Sequence, residues 1–463
     1  MAKTCIICNR PSGSAEHVFP AAFGGRRTNR GIYCETHNNA FGRHVATLLD
    51  ALDIVNAIIG VIPDRHKEIR AAEVKSEDGE RYLFSRTEVK IAPPPSLRET
   101  PELVGKRVQL KFADQAQADK WIAEQKKAGF HVAAEPAGPV RTQIFTRPLH
   151  APRHLGDEAF MCGLLYLALT FLAHGYPELA RSSGLAKARD IVEKDEPVED
   201  RVLWEPPGAM TQISTNPFTH GHTVTIGQIA NTSRVGALVS FYGAIQLGID
   251  LGELTENSNL DRITTHIDPL AKDAGQDRDV RVVREIGKYL LLSTAEESRK
   301  YLHQLRTGQS INPLLAVLQS ASDEGLSRIC ETLLPELTAL TAESPSLRPH
   351  RIMELLAPHD QRIFNLLREG IQGLSESAAD LPEPIHVILK SFIAANDGTP
   401  RGLAPTSEAA LQVAKADLAD AVLDELNNDT LDAKSLAALL GGGKGVTVVL
   451  RTLTNIIANS LPR

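Results

Sequence analysis

The sequence predicts a multidomain α+β protein with a small N-terminal module of two short strands and a helix, a mixed α+β middle part and a mainly helical C-terminal part. Three observations predict this architecture. Cysteines and histidines cluster near the N-terminus, alternating and helical apolar patterns mix in the middle, and helical spacing prevails after residue 280. At 463 residues and 42% hydrophobic content, the chain is long enough for several cores.

The N-terminal module is predicted to span residues 1–63. Two extended segments come first, at Glu16–Pro20 and Gly31–Cys34, separated by a Gly-Gly-Arg-Arg turn. From Asn39 onward apolar residues recur at helical spacing until Pro63 stops the pattern. The order of elements is therefore strand, strand, helix.

An α+β middle domain is predicted over residues 64–255, and a helical domain over 280–463 after a polar stretch. The apolar run from Ala159 to Ala173 is shorter than the roughly 20 residues of a spanning helix, so we expect a buried helix there. The other predicted elements are a hairpin at Asp78-Gly79, strands at 89–91, 108–112, 222–226 and 235–249, a helix at 114–128, and a helical pair within 157–194.

Charge is distributed unevenly along the chain, whose net charge is -7. Residues 1–50 carry six basic residues and three acidic ones, a balance of +3, which leaves -10 for the remainder. This pattern favours local contact with phosphates over a basic coat along the whole chain, although a solvated loop would carry similar charges. The N-terminus leaves no room for a secretory signal, so we expect a cytoplasmic protein that does not span a membrane.

Three of the five cysteines lie within the first 34 residues. Cys5-x2-Cys8 is followed by Cys34-x2-His37, which offers three thiolates and one imidazole in two paired knuckles. This is a ligand set that tetrahedral zinc prefers, whereas a redox pair would need neither Cys34 nor His37. We therefore expect a structural zinc ion. Cys162 and Cys330 lie in apolar helical patterns and are predicted to be buried small hydrophobes.

Polar residues that a zinc site does not need lie between and just after the knuckles: Glu16, His17, Asn29 and Asn38. Imidazole has an ordinary pKa near 6.5, so His17 is suited to accept a proton from water at cellular pH. A carboxylate oxygen of Glu16 and the amide oxygen of Asn38 are hard ligands, which favour magnesium or manganese. The alternative for Asn38 is an N-cap of the following helix. His220-x-His222 also suggests metal binding, but no third ligand lies nearby in the sequence.

This stretch resembles the HNH endonucleases, in the branch where two zinc knuckles bracket a ββα-metal motif. The resemblance covers residues 5–45 and is carried by the knuckles, Glu16-His17-Val18-Phe19-Pro20, Gly24-Gly25, Asn29, and Asn38-Asn39-x-Phe41-Gly42. It implies that His17 is the general base, that Glu16 and Asn38 bind the catalytic metal, and that Asn29 orients the loop holding His17. Three positions depart from the pattern. His37 replaces a zinc cysteine, Asn38 replaces the final histidine, and Glu16 replaces an aspartate, so Glu16 is expected to bind the metal directly or through water.

The function implied by the resemblance is metal-dependent hydrolysis of DNA, in bacterial defence against foreign DNA, with Mg²⁺ or Mn²⁺ as catalytic metal and Zn²⁺ as structural metal. Arg26, Arg27 and Arg30 lie on the loop expected to face the nucleic acid, with a solvated loop as the alternative. The expected partners are DNA and either a second copy of the chain or a defence-system protein. The alternative function is a non-catalytic zinc-binding DNA-recognition or scaffold protein, and an RNA target is also open.

Overall fold

The computed structural model describes residues 3–8, 10–86, 88–133, 144–145, 147–254, 260–272, 280–377, 383–393 and 405–460. The protein is a multidomain α+β protein, as predicted. The chain divides into two compact units. The first comprises residues 1–74, 82–90 and 151–321, and the second comprises 75–81, 91–150 and 322–463.

The N-terminal segment folds as two strands followed by a long helix. Strands β1 (Glu16–His17) and β2 (Thr28–Asn29) pair antiparallel, with Glu16 opposite Asn29 and His17 opposite Thr28. Helix α1 (Glu35–Ile59) begins after Cys34 and ends at Gly60, whose φ of 89° closes the last turn in the left-handed region that favours glycine. The predicted strand, strand, helix order is therefore confirmed, but the second strand lies at Thr28–Asn29 and not at the predicted 31–34, where the chain turns into α1.

Three short strands follow in the order β3 (Ala72–Lys75), β4 (Arg81–Phe84) and β5 (Val89–Ile91). The predicted hairpin at Asp78-Gly79 joins the first two, and Gly79 has a φ of 85°. The predicted strand at 108–112 is wrong, since these residues form no regular element. Helix α2 (Gln115–Lys127) begins where predicted, because the Asp114 carboxylate accepts a hydrogen bond from the Gln117 amide.

Three helices follow residue 157: α3 (Glu158–Gly175), α4 (Pro177–Arg181) and α5 (Ala186–Lys194). Helix α3 is apolar on nearly all sides because it packs against α1 and against the large sheet. Among the described helices, α3 has the length and composition of a membrane span, and 72% of its 18 residues are buried within the protein. Two helical segments over 433–441 and 443–451, bent by 62° where they meet, together also have the length and composition of a membrane span. The prediction of a buried helix at 159–173 is confirmed.

The first unit contains a six-stranded antiparallel sheet. In chain order its strands are β6 (Val202–Trp204), β7 (His222–Gln228), β8 (Arg234–Phe241), β9 (Ile245–Glu253), β10 (Arg262–Ile267) and β11 (Val280–Glu285). Their order in the sheet is β11-β10-β7-β8-β9-β6. Residues 280–285 are thus a strand, which corrects the predicted start of the helical part from residue 280 to Ala295.

The N-terminal module shares one hydrophobic core with α3 and the large sheet. Phe19 and Phe23 contact Phe241 of β8, with ring centroids 6.1 and 5.5 Å apart. The chain therefore divides differently from the predicted 1–63, 64–255 and 280–463, since most of the first two ranges lie in one unit. A short ββα segment has too few apolar residues for a separate core, so it buries them against the sheet.

The remaining helices run almost to the C-terminus. They are α6 (Ala295–Arg306), α7 (Pro313–Ala339), α8 (Arg348–Leu356), α9 (Asp360–Ser377), α10 (Glu383–Ser391), α11 (Pro405–Asn427), α12 (Ala433–Gly441) and α13 (Gly443–Ser460). Helices α8 to α13 surround a second core rich in leucine. Inside this core, Lys415 donates to Asp360 at 2.8 Å with both side chains buried, so neither charge is left unpaired.

Candidate metal centre and active site

The two knuckles come together at the start of α1. The turn that holds Cys5 and Cys8 is closed by a hydrogen bond from the Cys5 amide to the Arg10 carbonyl at 2.7 Å. Cys34 is the last extended residue before α1, and the first helical turn brings His37 back beside it. As a result, the three sulfurs and one imidazole nitrogen all lie within 4.8 Å of one another.

The spacing of these four atoms fits a tetrahedral zinc ion. With zinc–sulfur bonds of about 2.3 Å and zinc–nitrogen bonds of about 2.0–2.1 Å, the ligand atoms would be about 3.8 Å apart between sulfurs and about 3.6 Å apart between sulfur and nitrogen. The sulfurs of Cys8 and Cys34 are 3.8 Å apart, and Nδ1 of His37 is 3.6 Å from Cys5 Sγ and 3.3 Å from Cys34 Sγ. The predicted ligands therefore form a Cys3His cluster compatible with zinc.

One thiol of the cluster is readied to ionise. Burial raises the pKa of Cys34, but the hydrogen bond from the backbone amide of His37 and contacts with the neighbouring ligand side chains outweigh it and bring the pKa down to about 7. The pKa of Cys8 is raised, mainly by burial. With a pKa of about 7, Cys34 is partly ionised at neutral pH, and thiolate is the form that binds metal.

The imidazole of His37 is oriented by a carboxylate from a distant helix. Its Nε2 lies 3.2 Å from Oε1 of Glu193, on α5. Because a carboxylate only accepts, Nε2 must carry the proton, which leaves the lone pair on Nδ1, the atom that faces the sulfurs. This is the carboxylate–histidine arrangement that fixes the tautomer of a metal ligand. Glu193 was not found from the sequence, since it lies 156 residues from His37.

His17 lies on β1 with its imidazole partly exposed and held by Asp64. Its Nε2 is 3.0 Å from Oδ2 of Asp64, and each side chain is 21% exposed. Burial raises the pKa of Asp64, but the hydrogen bonds from His17 and Arg26 and the charge of Arg26 outweigh it, so the net shift is downward. An ionised Asp64 accepts from Nε2 and leaves Nδ1 of neutral His17 as the basic atom. Asp64 follows α1 and gave no signal in the sequence.

Glu16 points to the opposite side of β1 because successive side chains of a strand alternate. Its carboxylate is buried, and Oε1 accepts a hydrogen bond of 2.6 Å from the hydroxyl of Tyr166 on α3. Burial raises the pKa of Glu16 to about 7, and the Tyr166 bond offsets this only in part. A nearby cation would stabilise the ionised form of a carboxyl group whose pKa is raised in this way.

The two predicted asparagines have different surroundings. The amide oxygen of Asn38 is buried, and among the described residues no donor bonds to it. An orphaned oxygen of this kind fits a cation ligand. No hydrogen bond between Glu16 and Asn38 is found among the residues described. Asn29 accepts from the Gly31 amide at 2.7 Å, and its Nδ2 lies 2.9 Å from Nδ1 of His174, so it shapes the turn after β2.

The three predicted phosphate-binding arginines also differ. Arg26 is buried, and its guanidinium donates to the carbonyls of Ile62 and Ala271 at 2.8 and 2.9 Å and to Asp64 at 3.4 Å. It therefore clamps the fold, which corrects the expectation that it faces nucleic acid. Arg27 and Arg30 are exposed, and Arg30 donates to the Gly13 carbonyl at 3.2 Å.

Comparisons with known proteins add no family. No family model matches the chain, and neither curated proteins nor solved structures give a significant match. What can be inferred about function therefore comes from the residues of this chain and from the resemblance of residues 5–45.

A second group of His44, Cys162 and Asp195 also lies within 4.8 Å. Its groups are already engaged, because His44 Nε2 bonds to the Val192 carbonyl at 2.9 Å and Arg43 pairs with Asp195. Burial raises the pKa of Cys162 to about 11. Cys162 and Cys330 are both buried, as predicted.

His222 is fully buried in an aromatic cluster that includes Phe19 and Tyr242, with ring centroids 5.0 and 4.7 Å away. Burial lowers its pKa to about 3. Neither His220 nor His222 belongs to a group of three or more potential ligands in the described part of the chain.

Proposed function

We propose that this chain is a metal-dependent endonuclease that hydrolyses DNA, with His17 as general base and the Cys3His cluster as a structural zinc site. The observation that carries the proposal is the pair formed by His17, on the strand ribbon of a ββα unit, and Asp64, just beyond its helix, whose Nε2 and Oδ2 atoms are 3.0 Å apart. A carboxylate that fixes one imidazole nitrogen leaves the other available as a base. The 21% exposure of His17 allows water to reach it.

The reaction follows from this tautomer. A water oxygen bonds to phosphorus while its proton passes to Nδ1 of His17, and the bond from phosphorus to the leaving sugar oxygen breaks. That oxygen takes a proton from solvent, so one phosphodiester and one water give a phosphomonoester and an alcohol. Asp64 stabilises the imidazolium that forms, since its charge is opposite and its oxygen already accepts from Nε2.

Glu16 and Asn38 are the proposed ligands of the catalytic Mg²⁺ or Mn²⁺. The raised pKa of Glu16 and the orphaned oxygen of Asn38 are the observations that support this assignment. A divalent ion, when bound, would stabilise the charge that builds on the phosphate and the leaving oxygen. Tyr166 holds Glu16 in place by its hydrogen bond.

A second candidate is a zinc-binding DNA-recognition or scaffold protein without catalysis. It is favoured by the burial of Glu16 and by its bond to Tyr166, which occupies one carboxylate oxygen. In that case the ββα unit would bind nucleic acid, and the buried carboxyl would serve the packing of β1 on α3.

The experiment is cleavage of supercoiled plasmid by the zinc-loaded full chain, with Mg²⁺ or Mn²⁺ and with neither. Nicked or linear product that requires the divalent ion supports the endonuclease. Retarded DNA that is never cut supports the scaffold instead. A matched single-stranded DNA and RNA pair identifies the nucleic acid, and preferential RNA cleavage would contradict DNA as the substrate.

The role in defence against foreign DNA is proposed from the resemblance alone, with either a second copy or a defence-system protein as partner. Plaque counts on cells expressing wild type or His17→Ala test it. Equal counts on both, at equal protein levels, would contradict it.

A further inference from the structure

Two arginines reach the same carboxylate, and they differ in exposure. Arg26 approaches Oδ1 of Asp64 at 3.4 Å with a side chain that is 5% exposed. Arg65 approaches Oδ2 at 3.8 Å through its Nε, and its side chain is 78% exposed. The inner arginine, Arg26, donates to two backbone carbonyls. The outer one lies at the surface beside the proposed base.

Arg65 and His17 are linked through one oxygen atom. Oδ2 of Asp64 lies 3.0 Å from Nε2 of His17 and 3.8 Å from Nε of Arg65. A long, exposed ion pair of this kind contributes little to stability, typically about 0–1 kcal/mol. The stability contributed by the ion pair with Asp64 therefore does not explain why an arginine occupies this position.

The backbone at Arg65 adds a second observation. Its φ is 63°, in the left-handed region that costs a residue other than glycine about 1–3 kcal/mol. The turn that imposes it is closed by the His66 amide donating to the Pro63 carbonyl at 3.1 Å. A strained backbone that presents an exposed side chain next to a candidate base is typical of a functional position.

The guanidinium has donors left for a ligand. Only its Nε is near Asp64, and no ion pair or hydrogen bond engages its terminal nitrogens within the described ranges. Two parallel N–H groups of a guanidinium fit two oxygens of one phosphate, a geometry that lysine does not provide. A phosphate bound at this edge would lie beside the imidazole that activates water.

We infer that Arg65 binds the phosphate that is cleaved and stabilises the negative charge that forms on it as water attacks. This inference rests on the proposed endonuclease function. It replaces Arg26, which the fold buries, by an arginine that the sequence motif does not include. Asp64 then has two roles, because it orients His17 and also contacts Nε of the Arg65 guanidinium.

The experiment compares Arg65→Ala and Arg65→Lys with Arg70→Ala, a matched exposed arginine in the same loop. Single-turnover cleavage in Mg²⁺ is expected to fall about 10²-fold for Arg65→Ala, the size seen when one donor to a developing oxyanion is removed. Arg65→Lys is expected to recover only part of this loss, and Arg70→Ala to stay within about twofold of wild type. Zinc content and melting temperature serve as controls for folding.

Cleavage by Arg65→Ala within about twofold of wild type would overturn the inference, as would an equal loss in Arg70→Ala. If wild type does not cleave at all, the proposed function fails and DNA binding decides about Arg65. Affinity for a short duplex is then measured in the His17→Ala background. Weaker binding in Arg65→Ala than in Arg70→Ala supports phosphate contact at Arg65, and equal binding overturns it.

Discussion

The first 64 residues contain two polar centres that are built in different ways. The Cys3His cluster takes its ligands from residues 5–37, and their mutual distances follow from two short turns and the start of one helix. The His17 centre depends on Asp64, which lies 47 residues away, beyond the 25-residue helix α1. The ligands of the first centre therefore come from two short motifs before and at the start of α1, whereas the second centre needs a residue from beyond that helix.

The two centres also differ in exposure, as expected if one stabilises the fold and the other carries the chemistry. The Cys3His cluster has two buried and two half-buried residues and offers four ligand atoms, the number typical of a structural zinc site. His17, Asp64 and Arg65 are partly or largely exposed, which is typical of a site that receives a substrate. If the roles are separate, a change at one centre should leave the other intact.

The largest effect is expected for Cys34→Ser, which removes a thiolate from the cluster. Structural zinc contributes about 10–16 kcal/mol in isolated finger peptides, so we expect a loss of several kcal/mol here, where a shared core also supports the module. Zinc content by mass spectrometry and thermal unfolding measure it. Cys330→Ala, which changes a buried cysteine of the second unit, should keep its zinc. Full zinc content in Cys34→Ser would contradict the ligand assignment.

Asp64→Asn is expected to slow cleavage about 10²-fold, because a misplaced catalytic group costs this much even without loss of folding. The amide no longer requires the proton of His17 to lie on Nε2, so the base loses its fixed tautomer. Asp50→Asn, an exposed change on α1, is the control. Single-turnover rates that are equal for the two variants would show that Asp64 does not position the base.

An acid-dependent loss of stability is expected from His222, which anchors the N-terminal module on the sheet. Its pKa falls from 6.5 to about 3 on folding, so the unfolded chain binds the extra proton between these values. Stability from this group is complete above pH 6.5 and falls as pH falls, by about 2 kcal/mol between pH 7.5 and 5. Because phenylalanine does not titrate, the stability of His222→Phe should fall by about 2 kcal/mol less than that of wild type between pH 7.5 and 5. Denaturant unfolding at both pH values measures it, and His350→Phe, at an exposed site, should behave as wild type does.

The smallest effect is expected for Glu193→Gln, which weakens the hold on the His37 tautomer. Loss of such an outer partner typically lowers metal affinity about 10- to 100-fold, and we expect the lower end because the amide oxygen still accepts a hydrogen bond. Competition with a zinc chelator measures it, and Glu196→Gln, just beyond the end of α5, is the control. Unchanged affinity in Glu193→Gln would mean that α5 does not orient the ligand.

The sequence was sufficient for the parts of the molecule that depend on neighbouring residues. Cysteine spacing predicted the cluster, and apolar patterns predicted α1, α3 and the strand segments at 222–226 and 235–249. Strand β10 was missed, because it lies in a stretch that was expected to be a polar linker. The strand at 108–112 was wrong because a short alternating segment needs a pairing partner, and β propensity alone does not supply one.

Long-range partners were beyond the sequence. Asp64, Tyr166 and Glu193 are ordinary acidic or aromatic residues in loops and helices, and nothing nearby marks them as partners of His17, Glu16 and His37. Arg26 shows the converse, because a basic loop residue is equally consistent with solvent, phosphate or a buried clamp. Only the approach of the Ile62 and Ala271 carbonyls decides between these.

His17→Ala removes the proposed base and leaves all four proposed zinc ligands in place, so cleavage and zinc content are measured on the same preparation of this variant. We expect full zinc content, an unchanged melting temperature and a rate reduced about 10²- to 10⁴-fold, the usual contribution of a general base. Cleavage at the wild-type rate would contradict the assignment of the base. Loss of zinc together with cleavage would contradict the independence of the two centres.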